Sequence, residues 1–304
     1  MLKLGTAVLA FSSSLMLGAC SSSLVLASER CEYSSEQQLT LNDIQRLQVT
    51  MGSDHLTLVG GTDDQVNVTA RLCASTQKRL KQMVLEPEQQ GEVAQLRLLP
   101  ERRSNSFSVG LFGRKNEKYS RFELTIAVPT TMLLDLTVSS GFASIENIAG
   151  LDLTLSSGRV QASHISGPVS STVSSGQLTL ADTGPVQLNA LSSGRVTLQH
   201  VESARAFSIG SGRLRIEQVI GDVHVSSLGS GQVHAHDVQT SLSVDLIGSG
   251  SVRVSDVAGN VAFGSLGSGS IRAERIGGDL SLERKGSGSI RHQDVNGQVR
   301  LPGR

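Results

Sequence analysis

Tryptophan is absent, and two tyrosines and seven phenylalanines leave the 304-residue chain with 3% aromatics. So few rings fit a thin aliphatic core rather than a thick aromatic one. Lys+Arg and Asp+Glu balance at 27 each, so neither a globally basic nucleic-acid binder nor an acidic disordered tail is indicated. Only three cysteines occur, with no CxxC pair, no Cys/His spacing suited to zinc and no haem attachment motif. A phosphate-binding loop, a G-x-S-x-G elbow, a dinucleotide fingerprint and the Asp-bearing calcium nonapeptide of β-rolls are all missing. No cofactor or metal is expected.

What is abundant is glycine, 32 residues, and much of it is periodic. Ser-Gly recurs with its glycine at Gly141, Gly158, Gly176, Gly194, Gly212, Gly231, Gly250, Gly269 and Gly288. The gaps are 17, then 18 three times, then 19 four times. A fixed period near 20 residues marks a solenoid. From Gly250, apolar residues fall at Val252, Val254 and Val257, and again nine places on at Val261, Phe263 and Leu266. Gly231 repeats this with Val233, Ala235, Val238, Leu242, Val244 and Ile247. Each half contains the period-two alternation of a short strand with one buried face. The fold class is therefore all-β, a single-stranded parallel β-helix of 17–19-residue coils, flattened into two main sheets. Eight steps of about 4.8 Å give a rod of about 38 Å. Glycine at every corner is expected to supply positive φ. The lengthening period suggests a residue added to the second half-coil, because Leu151, Leu153 and Leu155 alternate unbroken while Val223, Val225 and Leu228 do not.

The flanks differ. Residues 1–19 read as an export leader, with Lys3 followed by an apolar stretch too short and weak for a membrane span. Leu17-Gly18-Ala19-Cys20 resembles a lipobox, which makes Cys20 the lipid carrier; cleavage after Val25-Leu26-Ala27, before Ser28, is the competing reading. Ser21, rather than Asp, after Cys20 favours outer-membrane sorting in a two-membrane cell. Setting Cys20 aside leaves Cys31 and Cys73, which an exported chain is expected to pair. Residues 20–44 read as an anchor and linker. Residues 45–128 read as an irregular N-terminal cap, with strands around Leu47–Val49, His55–Val59, Val66–Ala70, Val93–Leu98 and Phe122–Val128 and a short helix within Ser75–Val84. The repeats occupy 129–304, and within the cap Gly52, Leu56, Leu58, Val66 and Val68 resemble a degenerate coil. A loop at Glu101–Ser120 mixes Arg and Lys with Phe107, Phe112 and Tyr119 and reads as a solvated insertion. Near the end, Lys285 and His292 fall in normally inward columns.

The repeats carry little chemistry. Asp182, Asp237, Asp256 and Asp294 share the sixth place after the glycine, where a column of turn acids is usually solvated. His224, His234 and His236 are grouped without acidic ligands at fixed spacing. The nine coils run without the long insertions that wall the clefts of β-helical polysaccharide enzymes, so catalysis is not expected. One outward column stands apart. Three places after the glycine come Arg215, His234, Arg253, Arg272 and Arg291, one per coil. Stacked like charges repel, so the column needs neighbouring acids such as Glu217 and Glu274, or a bound anion. Its two readings are a locally neutralised surface and a strip for an acidic polysaccharide or lipopolysaccharide.

From about Gln45 onward the chain resembles a bacterial adhesin-like family of β-helical envelope proteins, related to head GIN domains. The resemblance rests on Phe122-Glu-Leu-Thr-Ile-Ala-Val-Pro129, on Leu136-Thr-Val-Ser-Ser-Gly141 and on the S-G-x-V-x-V blocks after it. It implies an exported β-helix, often membrane-anchored, acting as an adhesin-like binding or scaffolding module. In some members it implies a link to envelope stress, with a membrane protein as partner. It carries over no catalytic residue.

Overall fold

The computed structural model describes residues 31–99 and 119–303. Cys20, the export leader and residues 101–118 of the basic loop lie outside the described residues. The chain forms β1 (Tyr33–Leu41), β2 (Arg46–Met51), β3 (His55–Gly61), β4 (Val66–Ala74), helix α1 (Gln77–Leu80), β5 (Val84–Gln90) and β6 (Val93–Leu99). After these come β7 (Ser120–Pro129), β8 (Leu133–Val138), β9 (Phe142–Ile148), β10 (Gly150–Leu155), β11 (Arg159–Ile165), β12 (Val169–Val173), β13 (Gln177–Thr183) and β14 (Val186–Leu191). The rest are β15 (Arg195–Val201), β16 (Ala204–Ile209), β17 (Arg213–Val219), β18 (Val223–Leu228), β19 (Gln232–Val238) and β20 (Leu242–Ile247). The run ends with β21 (Ser251–Val257), β22 (Val261–Leu266), β23 (Ser270–Ile276), β24 (Leu280–Lys285), β25 (Ser289–Val295) and β26 (Val299–Arg300).

From β8 onward the strands alternate between two facing sheets, each 13-stranded among the described residues. Sheet A takes the odd strands from β9 to β25 and sheet B the even strands from β8 to β26, all parallel and nearly in register. This is the expected β-solenoid. Identical coil positions stack, so Val233, Val252 and Ile271 form one buried column and Leu242, Val261 and Leu280 another. Burying such columns removes apolar surface on both faces of every interior coil, which is the main stabilising term.

The corners work differently from the sequence expectation. None of the nine Ser-Gly glycines has positive φ; among the described glycines only Gly91 does. Glycine is required there because the coils approach closely: a Cβ on Gly250 would lie 2.6 Å from the Gly231 carbonyl oxygen. That spacing lets the Gly250 N–H donate to Gly229 O at 2.8 Å. Positive φ appears instead six places after each glycine, at Asn147, His164, Asp182, His200, Gln218, Asp237, Asp256, Arg275 and Asp294, with φ between 51° and 63°. These residues drop out of the pairing register, as Asp256 does between Ser255↔Glu274 and Val257↔Ile276. Each is a left-handed kink that both neighbouring strands share, repeated once per coil. Asn, Asp and His tolerate this conformation best, which accounts for the acids at the sixth place without any catalytic role.

A second polar ladder closes the entry to sheet B. Asp222, Ser241, Asn260 and Asp279 each accept, through the side chain, the backbone N–H of the equivalent residue one coil on, at 3.2, 3.2, 2.8 and 2.8 Å. An extra residue enters the second half-coil as a register shift between Ser171 and Thr172 where β12 meets β14, but the turn before β14 is one residue shorter, so this shift does not lengthen the period. The later step from 18 to 19 residues lies in the turn, which is 202–203 after β15 but 220–222 after β17.

At the N-terminal end, stacking order departs from chain order. The β2–β3 coil sits between β6–β7 and β8–β9. Val66 and Val68 do not continue that coil as the sequence suggested; β4 turns back and pairs antiparallel with β7. The segment 33–41, read from sequence as linker, is strand β1 on the outer edge of β4. On sheet B, β5 closes the edge antiparallel to β6, and its Pro87, Glu86 and Glu88 make it a polar edge strand. Cys31 and Cys73 form a disulfide with Cα atoms 5.3 Å apart, fastening the start of β1 to β4. The short helix is the four residues of α1, capped by Thr76. Lys285 and His292 take inward register positions opposite Leu266 and Ala273 but are exposed.

Candidate anion-binding face

The outward face of sheet A carries the charge pattern. Parallel register places Arg215 beside His234, His234 beside Arg253, Arg253 beside Arg272 and Arg272 beside Arg291. One sequence position per coil becomes a straight row at about 4.8 Å spacing. Two of the arginines are partly neutralised. Arg215 donates from Nε to Glu217 Oε1 at 2.7 Å, and Arg272 pairs with Glu274. Hydrogen bonds from Gln199 and Arg215 lower the pKa of Glu217 and keep it ionised. Among the described residues, Arg253 and Arg291 have no carboxylate partner. His234 lies between cations: its own burial, then Arg253, Arg213 and Arg215, push its pKa below the ordinary value.

A second column lies on the same face one place after the glycine, and the sequence reading missed it. It runs Phe142, Arg159, Gln177, Arg195 and Arg213 in register. Beside it runs a groove of about 680 Å³ along the Ser-Gly corners, from His55 and Phe142 at one end to Arg213 at the other. His55 meets Phe142 edge-on, with ring centroids 6.3 Å apart. Arg213 donates to Gln232 Oε1 at 3.0 Å, whereas Arg159 and Arg195 have no carboxylate partner among the described residues. The signal was legible: corners reading Ser-Ser-Gly, as at 156–158 and 192–194, change to Gly-Ser-Gly from Gly210 onward. In that same coil the arginine moves from the first place, Arg213, to the third, Arg215.

The other grouped residues come apart. His224 stands on sheet B, bonded to Ser243 and Ser226 and 3.3 Å from Asp245, while His234 and His236 belong to sheet A. Asp256 accepts two 2.6 Å bonds from Arg275 and lies 2.9 Å from His236. The Arg275 hydrogen bond leads in lowering its pKa to about 2, far from what a general acid or base needs at neutral pH. Among the described residues, no group of three or more His, Cys, Asp or Glu is arranged to hold a metal. No helix there is long and apolar enough to cross a membrane.

The fold and this face define a β-solenoid with a charged, regularly spaced outer surface. The chain belongs to the Toastrack DUF4097 family, whose model matches residues 44–302. A comparison with curated proteins finds no match. Among solved structures, a candidate lipid-binding protein from Parabacteroides distasonis is 14% identical, with 90% of this chain and 98% of the other covered and a TM-score of 0.49. A candidate adhesin from the same organism is 16% identical over 86% of this chain and 97% of the other, at TM-score 0.44. Another from Bacteroides fragilis is 13% identical over 89% and 98%, at TM-score 0.38.

Proposed function

We propose that the protein is an exported, lipid-anchored envelope module that binds an acidic surface polymer, an acidic polysaccharide or lipopolysaccharide, rather than a catalyst. The observation that carries this is the row Arg215, His234, Arg253, Arg272 and Arg291, held straight by parallel register. Arginine suits the task because its fixed fork holds carboxylate or phosphate through two parallel bonds. Each exposed contact is weak, so affinity comes from several coils engaging one long chain. The export leader and Cys20 supply the address, with the outer membrane as destination. A lipid on Cys20 would lie eleven residues before Cys31, a reach of at most roughly 40 Å, and the chain enters the solenoid at its capped end.

The test is binding of purified lipopolysaccharide and dextran sulfate at low and high salt. Wild type should bind at low salt and release as salt screens the exposed charges. Arg253→Ser with Arg272→Ser should weaken binding without lowering thermal stability. Unchanged binding by that double variant, or no binding by wild type, would overturn the reading. Labelling with a palmitate analogue, lost in Cys20→Ala, tests the anchor; a mature N-terminus at Ser28 would overturn it.

A further inference from the structure

We infer that the corner groove and the arginine row form one stepped track for a linear acidic glycan whose acid groups recur only every two to three coils. The inference rests on the anion-binding reading of the same face and extends it to the proximal coils. Arg159 and Arg195 stand in the first column, and Arg253 and Arg291 in the third-place column. The two columns meet on β17, which carries both Arg213 and Arg215 on one face. The step between them is two residues, about 6.6 Å. An arginine or histidine therefore stands on each strand of sheet A from β11 to β25 except β13, over seven coil steps or about 34 Å.

The spacing of the unneutralised charge selects the ligand. Arg215 and Arg272 are held by Glu217 and Glu274, and Arg213 is hydrogen-bonded to Gln232. The cations without a carboxylate or amide partner on this track are Arg159, Arg195, Arg253 and Arg291, along with the largely neutral His234. Those arginines are separated by two, three and two coil steps, about 10, 14 and 10 Å. A nucleic-acid strand presents a phosphate about every 3.4 Å of helix axis, several for each free arginine. It also needs aromatic platforms for its bases, and on the repeat strands of this face the one phenylalanine, tyrosine or tryptophan that projects outward is Phe142, at one end.

Between the free arginines the surface is neutral and polar. In the groove, the exposed hydroxyls of Ser157, Ser175 and Ser193 form one rail, and Gln177 stands between Arg159 and Arg195 on the other. Hydroxyl and amide groups at coil spacing match sugar hydroxyls between widely spaced acids. The groove ends at Ser211 and Arg213, on the coil where the arginines shift column, so one chain can pass obliquely from corner to strand centre.

The test uses hyaluronan of defined lengths, with an acid on alternate sugars, against polygalacturonate, with one on every sugar, and oligo-dT. Long hyaluronan should bind best at equal charge, and fragments covering two or three coils should bind far more weakly. Arg159→Ser with Arg195→Ser, and separately Arg253→Ser with Arg291→Ser, should each reduce affinity about tenfold, since two of several weak contacts go. If the proximal pair binds as wild type while the distal pair is impaired, the stepped track is wrong and the straight row alone stands. If neither pair matters, both readings fall. If polygalacturonate or oligo-dT binds as tightly as hyaluronan, the sparse-charge assignment is overturned. Unchanged melting temperatures in both pairs exclude misfolding as the cause.

Discussion

The carboxylate of Asp54 accepts the backbone N–H of Phe122, 68 residues away in sequence, at 2.9 Å, and its other oxygen accepts the Gly52 N–H at 2.8 Å. Asp54 occupies the corner place that glycine takes in later coils, and its carbonyl receives the Phe142 N–H at 3.0 Å. One buried residue thus ties the cap strand β7 to the first coil and the first coil to the second. Replacing it by Ala leaves two N–H groups without their acceptor, and Phe122 is only 4% exposed. A buried group left unpaired costs about 1–3 kcal/mol. Asp54→Ala should therefore lower the melting temperature and speed hydrogen exchange in β7, β4 and β1, while β17 to β23 keep their protection. Uniform loss of protection along the whole rod would contradict this hinge-like role.

Two substitutions test the corner physics in opposite directions. Gly250→Ala forces a Cβ against the Gly231 carbonyl without any φ conflict, so it should destabilise by about 1–3 kcal/mol through strain between coils. Gln218→Gly relieves a left-handed residue, φ 60°, and should stabilise by about 0.5–1 kcal/mol. Chemical denaturation of both variants decides it. A stabilising Gly250→Ala would mean that the coils separate readily at the corner.

The pairing of these results shows what the sequence could reveal. The period of Ser-Gly and the two apolar triplets per repeat disclosed the coil, the two sheets and the inward columns, because the same buried positions recur in every repeat. The reason for the glycines was not legible, since period alone cannot separate a left-handed residue from a close approach of two backbones. The left-handed residues were hidden among Asp182, His200 and Gln218, which share a conformation but no chemistry. At the N-terminal end, β1 and β5 were missed because edge strands have one unpaired side and carry few apolar residues. The arginine row was found because it keeps one place through five coils. The groove arginines were missed because Gln177 interrupts them and they stop at Arg213.

Ser171 is 1% exposed, and its hydroxyl has no hydrogen-bond partner. It stands inward between Leu153 and Leu188, at the coil where sheet B shifts register. Burying an unpaired hydroxyl costs about 1–3 kcal/mol. Ser171→Ala should therefore raise stability by about 1 kcal/mol, even though it also removes packed atoms. A loss of stability in urea titrations would show that the hydroxyl is satisfied in solution.

His234 gives the strip a pH dependence. Burial and the cations Arg253, Arg213 and Arg215 lower its pKa from the ordinary value near 6.5, so the folded protein holds the imidazole neutral at neutral pH. Because the unfolded chain binds the proton more readily, this residue makes a contribution to stability that is present above the unfolded pKa and lost as pH falls toward the lowered one. A bound polyanion acts in the opposite sense: it offsets the neighbouring arginines, raises the pKa and draws a proton onto the ring. Affinity should therefore rise as pH falls below about 6.5, with proton uptake on binding. His234→Gln should flatten that rise while leaving binding at pH 8 close to wild type. Calorimetric titrations of a polyanion in buffers of different ionisation heat measure the uptake directly. Equal pH profiles for the two proteins would show that His234 lies outside the binding face.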